Sequence, residues 1–499
     1  MKRAPLEVAL SLVLLLGFGG CSGKAAGGGP GAAAGAGGIA PTGGSPGGAD
    51  AGVAGRSAVG SVDGGAVGGT SGGAVGGAAG GTGSGTGGGA PGGAPGTGGG
   101  TGGQAALFTV AVQLASDVNP NAPGTIGIVT WSVTVAPLAS AHIEFGLDGS
   151  YGMTAPVDLS AAGYRTLLLG MKPSRTYHFR IVASNSTATF ASGDYTIATG
   201  PPTSLVNVTS FNVIDAAARQ RGFVIASHRT NSTVAFILDA DGDVVWWFGA
   251  GPNGIARARM SEDGKNMWIA ISGNTGAPLV RVRMDGLETQ SYANIAAAHD
   301  ITPVGGATMA YLDYGERDCQ SIFEIDPGGT AREVFESTGV VSSSNCHGNA
   351  LRYSKKQNVY TFSDHLTDVF VVDRSGAVLW RLGQRVTGGN AAWGGAQHGH
   401  QLLDDGLLIF ANNGAGNNAS QAIEYALDGT ERRRFASGGF TANLGDVQRL
   451  PGGDTLITYT NQSLIQEVDG NGKVVLEIKV AGASLAYSLW LAGLYGPSP

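Results

Sequence analysis

The feature that most limits what this chain can fold into is a phrase that recurs six times: a strand of apolar residues, a turn of the Asp-x-Gly type or a relative, and a second strand. It appears at 236–248 (FILDADGDVVWWF), 281–292, 323–335, 371–383, 423–435 and 466–478. The turn glycines Gly242, Gly286, Gly329, Gly376, Gly429 and Gly472 are 44, 43, 47, 53 and 43 residues apart. Between these hairpins lie others, SEDGKNMWIAI, LLDDGLLIFAN and LPGGDTLITYT, so that each repeat holds four strands. A period of about 40–50 residues built only of strands is the signature of a β-propeller. The sequence therefore predicts an all-β protein whose residues 201–499 form a six-bladed β-propeller. The longest interval brackets residues 386–400, and extra residues in such folds go into loops on one face, often the binding face.

Residues 105–200 carry a different pattern. Short alternating strands are expected at 126–135, 141–145, 165–169, 176–183 and 194–198, separated by Gly, Pro and Asp turns. In YHFRIVA, Tyr177, Phe179 and Ile181 share one face while His178 and Arg180 point the other way. The segment resembles a fibronectin type III β-sandwich, whose late strand begins with a corner tyrosine. His142 and His178 read as ordinary strand residues.

Before the sandwich the composition collapses. Residues 22–104 are almost all Gly, Ala, Ser, Thr and Pro with no aromatic residue, and only Lys24, Asp50, Arg56 and Asp63 are charged. Such a segment buries too little apolar surface to offset its backbone entropy, which predicts a disordered tether. Residues 1–21 read as an export signal: Lys2 and Arg3, an apolar run too short to span a bilayer, then FGGC, which looks like a bacterial lipobox with Cys21 as the lipidated residue. An ordinary secretory signal is the alternative. Either one places the mature chain outside the cytoplasm, and the lipobox places it on the bacterial cell envelope, held to the membrane by its N-terminal lipid. A net charge of −7 argues against nucleic acid as a partner. Cys319 and Cys346 remain to form a disulfide or to stay free, and spacing alone does not choose between these.

Four of the eight histidines, His347, His365, His398 and His400, fall between residues 345 and 413, in NCHGN, TFSDH and AQHGH. His299, His347 and His398 recur at intervals of 48 and 51 residues, each just before a strand-like run, at 301–304, 350–353 and 401–403. Equivalent positions in successive blades converge on the central channel, so an imidazole-rich site is expected there. Taken singly, each would read as a hydrogen-bonded structural imidazole. His398 and His400 with Asp404 could supply metal ligands, but no HExxH or Cys-x-x-Cys supports that reading, and neither a GxSxG elbow nor a phosphate-binding loop is present. No cofactor is called for.

Several of these pieces occur together and in order: AHD at 298–300, His347-x-Asn349, SDH at 363–365, QH at 397–398, FANNG at 410–414, IEY at 423–425 and DVQRLPGGDTL at 446–456. In this they resemble the bacterial arylsulfate sulfotransferases, over roughly residues 206–495. The resemblance implies an exported six-bladed propeller with an N-terminal β-sandwich, moving a sulfuryl group from an aryl sulfate to a phenol without a nucleotide donor. It implies that His398 is the nucleophile, that His299 and His347 meet the sulfuryl oxygens, and that Asn349 and Gln397 belong to the substrate-binding residues. Where the family carries an arginine, eighteen residues after the histidine of H-x-N, this chain has His365, a group cationic only below about pH 6.5 unless perturbed. Trp393, in the long loop before Gln397, is expected either at the pocket mouth against an aromatic substrate or packed on its own blade. A non-catalytic propeller that binds a ligand or glycan in the same pocket is the alternative from another class. The lipobox reading predicts that Cys21→Ser moves the protein from the membrane to the soluble fraction; unchanged membrane association would refute it.

Overall fold

The structure, a computed structural model, describes residues 107–229, 234–249, 251, 253–271, 277–313, 319–341, 347–365, 367–413, 419–436, 439–482 and 484–496. The signal segment with Cys21, the tether at 22–104 and Cys346 lie outside the described residues. Cys319 is disulfide-bonded.

The first described segment forms two antiparallel sheets. One pairs Phe108–Leu114 with Gly127–Val133 and Thr166–Leu168; the other joins Met153–Pro156, Ser140–Gly146, Thr176–Ser184, Thr189–Ala191 and Tyr195–Ala198. Alternation decides which residues face inward: Tyr177, Phe179 and Ile181 are buried in the core with Trp131, Ile143 and Phe145. Tyr177 Oη accepts the Lys172 N–H at 2.9 Å, tying the start of its strand to the preceding turn. The first strand, Phe108–Leu114, and the short strands Met153–Pro156 and Thr189–Ala191 were not expected from the sequence; the last two have only four and three residues, too few for alternation to register.

The rest of the chain builds antiparallel meanders of four strands, and the described residues give six of them. Ile255–Met260 begins a seven-stranded sheet in which one long strand, Thr289–Gly305, ends one meander and starts the next. The sheets beginning with Gly348–Ser354, Gln397–Leu402 and Asp446–Arg449 follow, the last of these extended at its edge by Asn207–Val213. The remaining sheet is composite: Leu489–Leu491, from the end of the chain, pairs with Phe223–Ser227, followed by Val234–Leu238 and Val244–Gly249. The leading strands pack side by side in sequence, and Gln448 and Trp490 exchange hydrogen bonds of 3.1 and 2.7 Å across the join, which closes the ring as a β-propeller.

The repeated turns explain the repeated glycines. All six lie in the left-handed region, with φ between +72° and +90°, which a residue with a Cβ rarely adopts. The aspartates that open several of these turns accept backbone N–H groups, as Asp373 Oδ1 does from Ser375 and Ala377 at 2.8 and 3.0 Å. One turn does more. Asp239, Asp241 and Asp243 surround the Lys172 ammonium at 2.7, 3.1 and 2.6 Å, and Arg165 reaches Asp285 at 2.5 Å, so ion pairs join the sandwich to the propeller beside a shared apolar cluster of Ile126, Ile128 and Leu169 with Val245 and Trp246.

Close approach of the leading strands fixes another glycine. A Cβ on Gly399 would overlap Asp446 Oδ1 and the Asp446 Cα, which belong to the next sheet. Gly399→Ala is therefore expected to destabilise the fold by about 1–3 kcal/mol, as overpacking does. For a domain of this size that lowers the melting temperature by roughly 2–4 °C per kcal/mol, and an unchanged melting curve would show that the strands are not held this close.

Candidate active site

Four imidazoles form a row at one end of the leading strands. His299 Nε2 and His347 Nε2 are 3.1 Å apart, their rings edge to face at 4.6 Å between centroids. His365 follows His347 at 5.7 Å, and His398 follows His365 at 5.4 Å. The row thus runs across three consecutive sheets.

Local irregularities in the strands aim these side chains. The pairing register slips between Ala298 and Ile301, between Gly348 and Ala350, and between Gln397 and His400. A bulge leaves a residue unpaired and turns its side chain out of the alternation. His299 is not placed ahead of a strand, as its sequence suggested, but inside the slip of the long strand, with φ at +54°. His398 and His400 are likewise separated by their bulge: His400 is fully buried and reaches Thr361 Oγ1 at 2.8 Å, while His398 belongs to the row. His365 sits just past the strand Val359–Asp364, its N–H donating to the His347 carbonyl at 2.7 Å.

The hydrogen-bond network assigns the protons. Asn412 Nδ2 donates to the Thr441 and Leu444 carbonyls, both at 2.9 Å, so its Oδ1 is turned to His398 Nδ1, 2.6 Å away. An amide oxygen only accepts, so Nδ1 carries the hydrogen and the His398 Nε2 lone pair is left unprotonated. Asn349 Nδ2 donates at 2.7 Å to the Gln397 carbonyl, which fixes that atom as nitrogen; it also donates to His365 Nδ1 at 2.9 Å. The neutral His365 therefore carries its proton on Nε2 and offers a donor. A lone pair and an N–H thus stand on neighbouring rings.

Burial keeps the row neutral. It pushes the pKa of His299 down to about 3 and that of His347 down to about 4, with neighbouring imidazoles adding to the effect. His365 is lowered by burial, and His398 is lowered well below the usual imidazole range by burial first and His365 second. Loss of hydration, ahead of repulsion between protonated neighbours, is what makes the His398 ring a base with a free lone pair at neutral pH.

Behind the row lies a layer of buried charge that the sequence did not announce. Arg257 donates to Asp300 at 2.7 Å and to Asp446 at 2.6 Å; Arg352 donates to the same two carboxylates at 2.5 and 2.6 Å. These four residues come from four different leading strands and close a ring. The Arg257 guanidinium lies 3.7 Å from the centroid of the Tyr487 ring, and Tyr487 Oη donates to the Asn349 carbonyl at 3.0 Å, which connects the charged layer to the site. The signals in the sequence were Asp300 and Asp446 in the AHD and DVQRLPGGDTL motifs, and Arg-Ala-Arg at 257–259, two arginines on one face of an otherwise apolar strand.

One open alternative is decided, that of Trp393, and two expectations are corrected, those of Gln397 and Asn349. Trp393 is fully buried, packed with Val369, Leu382, Val386 and Ile409 and edge to face with Tyr425 at 6.1 Å, so it has no surface to offer an aromatic substrate. Gln397 and Asn349 are also fully buried, and their side-chain NH2 groups are committed to the protein: Gln397 Nε2 to the Asp364 and Asp368 carbonyls, Asn349 Nδ2 to the Gln397 carbonyl and His365 Nδ1. They are positioning residues. Asn412 was part of the histidine-rich stretch by sequence, yet its role in setting the His398 tautomer is visible only in the fold.

No family model and no curated protein matches the chain. Among solved structures it is similar to TolB from Acinetobacter baumannii, at 8% identity over 65% of this chain and 80% of that one, with a TM-score of 0.43. It is also similar to a protein of unknown function from Bacteroides caccae (14% identity, 55% and 100% covered, TM-score 0.40). A third is virginiamycin B lyase from Staphylococcus aureus (15% identity, 54% and 83% covered, TM-score 0.37).

The lowered imidazole pKa values have a thermodynamic consequence. A histidine kept neutral in the fold but free to protonate near pH 6.5 when unfolded contributes stability that is fully present above that pH and is lost as the pH falls through the folded value. For His400 that value is about 4. Melting temperature should therefore fall between pH 6.5 and 4, and in His400→Gln the dependence should be shallower by about 1.4 kcal/mol per pH unit. An unchanged slope in calorimetric scans would show that His400 is not held neutral.

Proposed function

We propose that the protein is an exported arylsulfotransferase, anchored through Cys21, that moves a sulfuryl group from an aryl sulfate to a phenolic acceptor by way of a sulfohistidine. The observation that carries the reading is the locked amide of Asn412, which leaves the His398 Nε2 lone pair facing a row of imidazoles. In the first half-reaction Nε2 attacks sulfur, the N–S bond forms as the S–O bond to the aryl group breaks, and the phenolate departs with the bonding pair. The His365 Nε2–H is the donor nearest in the row to meet the charge that develops on oxygen, a role donors fill well in a dry site. In the second half-reaction, the reverse of the first, the acceptor attacks sulfur as its phenolate, having given its proton to water, and the N–S bond breaks to restore the His398 lone pair while the His365 Nε2–H again donates to the aryl oxygen.

The imidazole row and its place between sheets agree with the family resemblance, and so does the recurrence of His299, His347 and His398. The exchange of a permanent cation for His365 sets this chain apart. Since burial lowers the pKa of His365, the group is neutral at pH 7–8 and binds the sulfate ester by hydrogen bonding alone. That favours donors with good leaving groups, which need little help from the protein.

Turnover of p-nitrophenyl sulfate with added phenol, read as p-nitrophenolate, tests the proposal. The expected outcome is ping-pong kinetics, loss of at least about 1000-fold in kcat/KM for His398→Ala with the fold intact, and a higher kcat/KM near pH 8 for His365→Arg. Full activity in His398→Ala, or no sulfuryl transfer across a panel of aryl sulfates and phenols, would replace the enzyme by a ligand-binding propeller.

A further inference from the structure

Two cavities lined by described residues do not contain the histidines. They open at the other end of the same strands. His299 lies four residues before Pro303, Asn349 four before Tyr353 and His398 four before Leu402, a distance of about 13 Å along extended chain. Pro303, Tyr353 and Leu402 line both cavities, one of about 380 Å³ and one of about 960 Å³. The ring of Arg257, Asp300, Arg352 and Asp446 lies between the two ends.

That ring is neutral by itself, two guanidiniums against two carboxylates. Arg259 is a third guanidinium in the same place. It follows Arg257 by two residues on the strand Ile255–Met260, and so projects to the same side. It is 4% exposed and lines the smaller cavity together with Arg352, Thr302, Thr361 and Gln401. Its Nε and Nη2 are buried and have no hydrogen-bond partner; the nearest carboxylate oxygen, Asp300 Oδ1, is 3.9 Å from Nη2 and already accepts from Arg257 Nε at 2.7 Å. Asp446 is fully used as well, one oxygen on Arg257 and the other on Arg352. The group therefore carries three positive charges against two negative, with the surplus on the member whose donors are unmet.

A buried unpaired charge costs several kcal/mol, and a guanidinium does not relieve it by losing its proton in a protein. Burial next to Arg352 and Arg257 presses the Arg259 pKa well down, which measures that cost. His400 is buried beside the same group and held neutral, and Tyr487 keeps its proton, so neither supplies a counter-charge. At the mouth Lys355 and Lys356 are paired with Glu262 and Asp404 and are more than two-thirds exposed.

We propose that this end of the channel is an anion-binding site, distinct from the histidine row, in which Arg259 takes a small oxyanion or a carboxylate as its missing counter-ion. The planar fork of a guanidinium with two free donors suits two oxygens of one anion. The larger adjoining cavity, lined by Leu450, Trp490 and Leu491, leaves room for an organic body behind a carboxylate head.

Calorimetric titration of the full chain at constant ionic strength, with inorganic phosphate in one arm and acetate in the other, tests this and separates the free oxyanion from the carboxylate. One anion per chain is expected, bound at least about tenfold more weakly by Arg259→Lys, not at all by Arg259→Met, and unchanged by His398→Ala. If Arg259→Met does not fold, Arg259→Lys decides. Wild-type protein that binds neither anion at millimolar concentration, an Arg259 variant that titrates like wild type, or loss of binding in His398→Ala would each overturn the proposal. The last of these outcomes would assign the anion to the histidine row, so the result is independent of whether sulfuryl transfer occurs.

Discussion

The closed circuit of Arg257, Asp300, Arg352 and Asp446 holds the centre of this protein. Taking four charges out of water is expensive, and their mutual attraction repays that only where geometry is good and the remaining lone pairs are satisfied. Here each carboxylate bridges both arginines, and backbone N–H groups of Ile301, Leu351 and Val447 complete the set at 2.8–3.0 Å. Because the members come from four leading strands, the circuit sets how far those strands stand from one another. The absence of a side chain at Gly399, against Asp446, belongs to the same spacing.

The histidine row depends on that spacing and on the slips that interrupt the strands. Without the bulges, alternation would send every second residue into the channel and leave His299 and His398 no means of leaving the pattern. With them, His299, His347, His365 and His398 meet although they are separated by up to 99 residues. The supporting amides are as important as the rings. Asn349 and Asn412 each fix one tautomer, one to present a donor and the other a lone pair, so two identical side chains acquire opposite roles.

Much of this was legible in the sequence. The strands, the turn glycines and the repeat length follow from local chemistry, because a positive φ selects glycine and a half-buried strand selects alternation; the hairpins of all six repeats appear in the fold. The convergence of His299, His347 and His398 followed from their period. What could not be read depends on contacts between sheets. The partner of Lys172 lies some seventy residues away, the partner of Arg257 lies almost two hundred away in Asp446, and the short strand Leu489–Leu491 has too few residues to show alternation. Trp393 was equally ambiguous, since a loop tryptophan reads alike whether it faces a pocket or fills a core.

The pairing of Leu489–Leu491 with Phe223–Ser227 joins the two ends of the propeller in a single sheet. A chain that emerges from its amino end can form each later meander as it arrives, but the first one lacks its leading strand until residue 491 is free. Until then two sheet edges stand open, and such edges are where chains pair wrongly with one another. Leu489–Leu491 therefore acts as the latch of the assembly, and the interval before it arrives is when the protein most needs to be kept apart from its own copies.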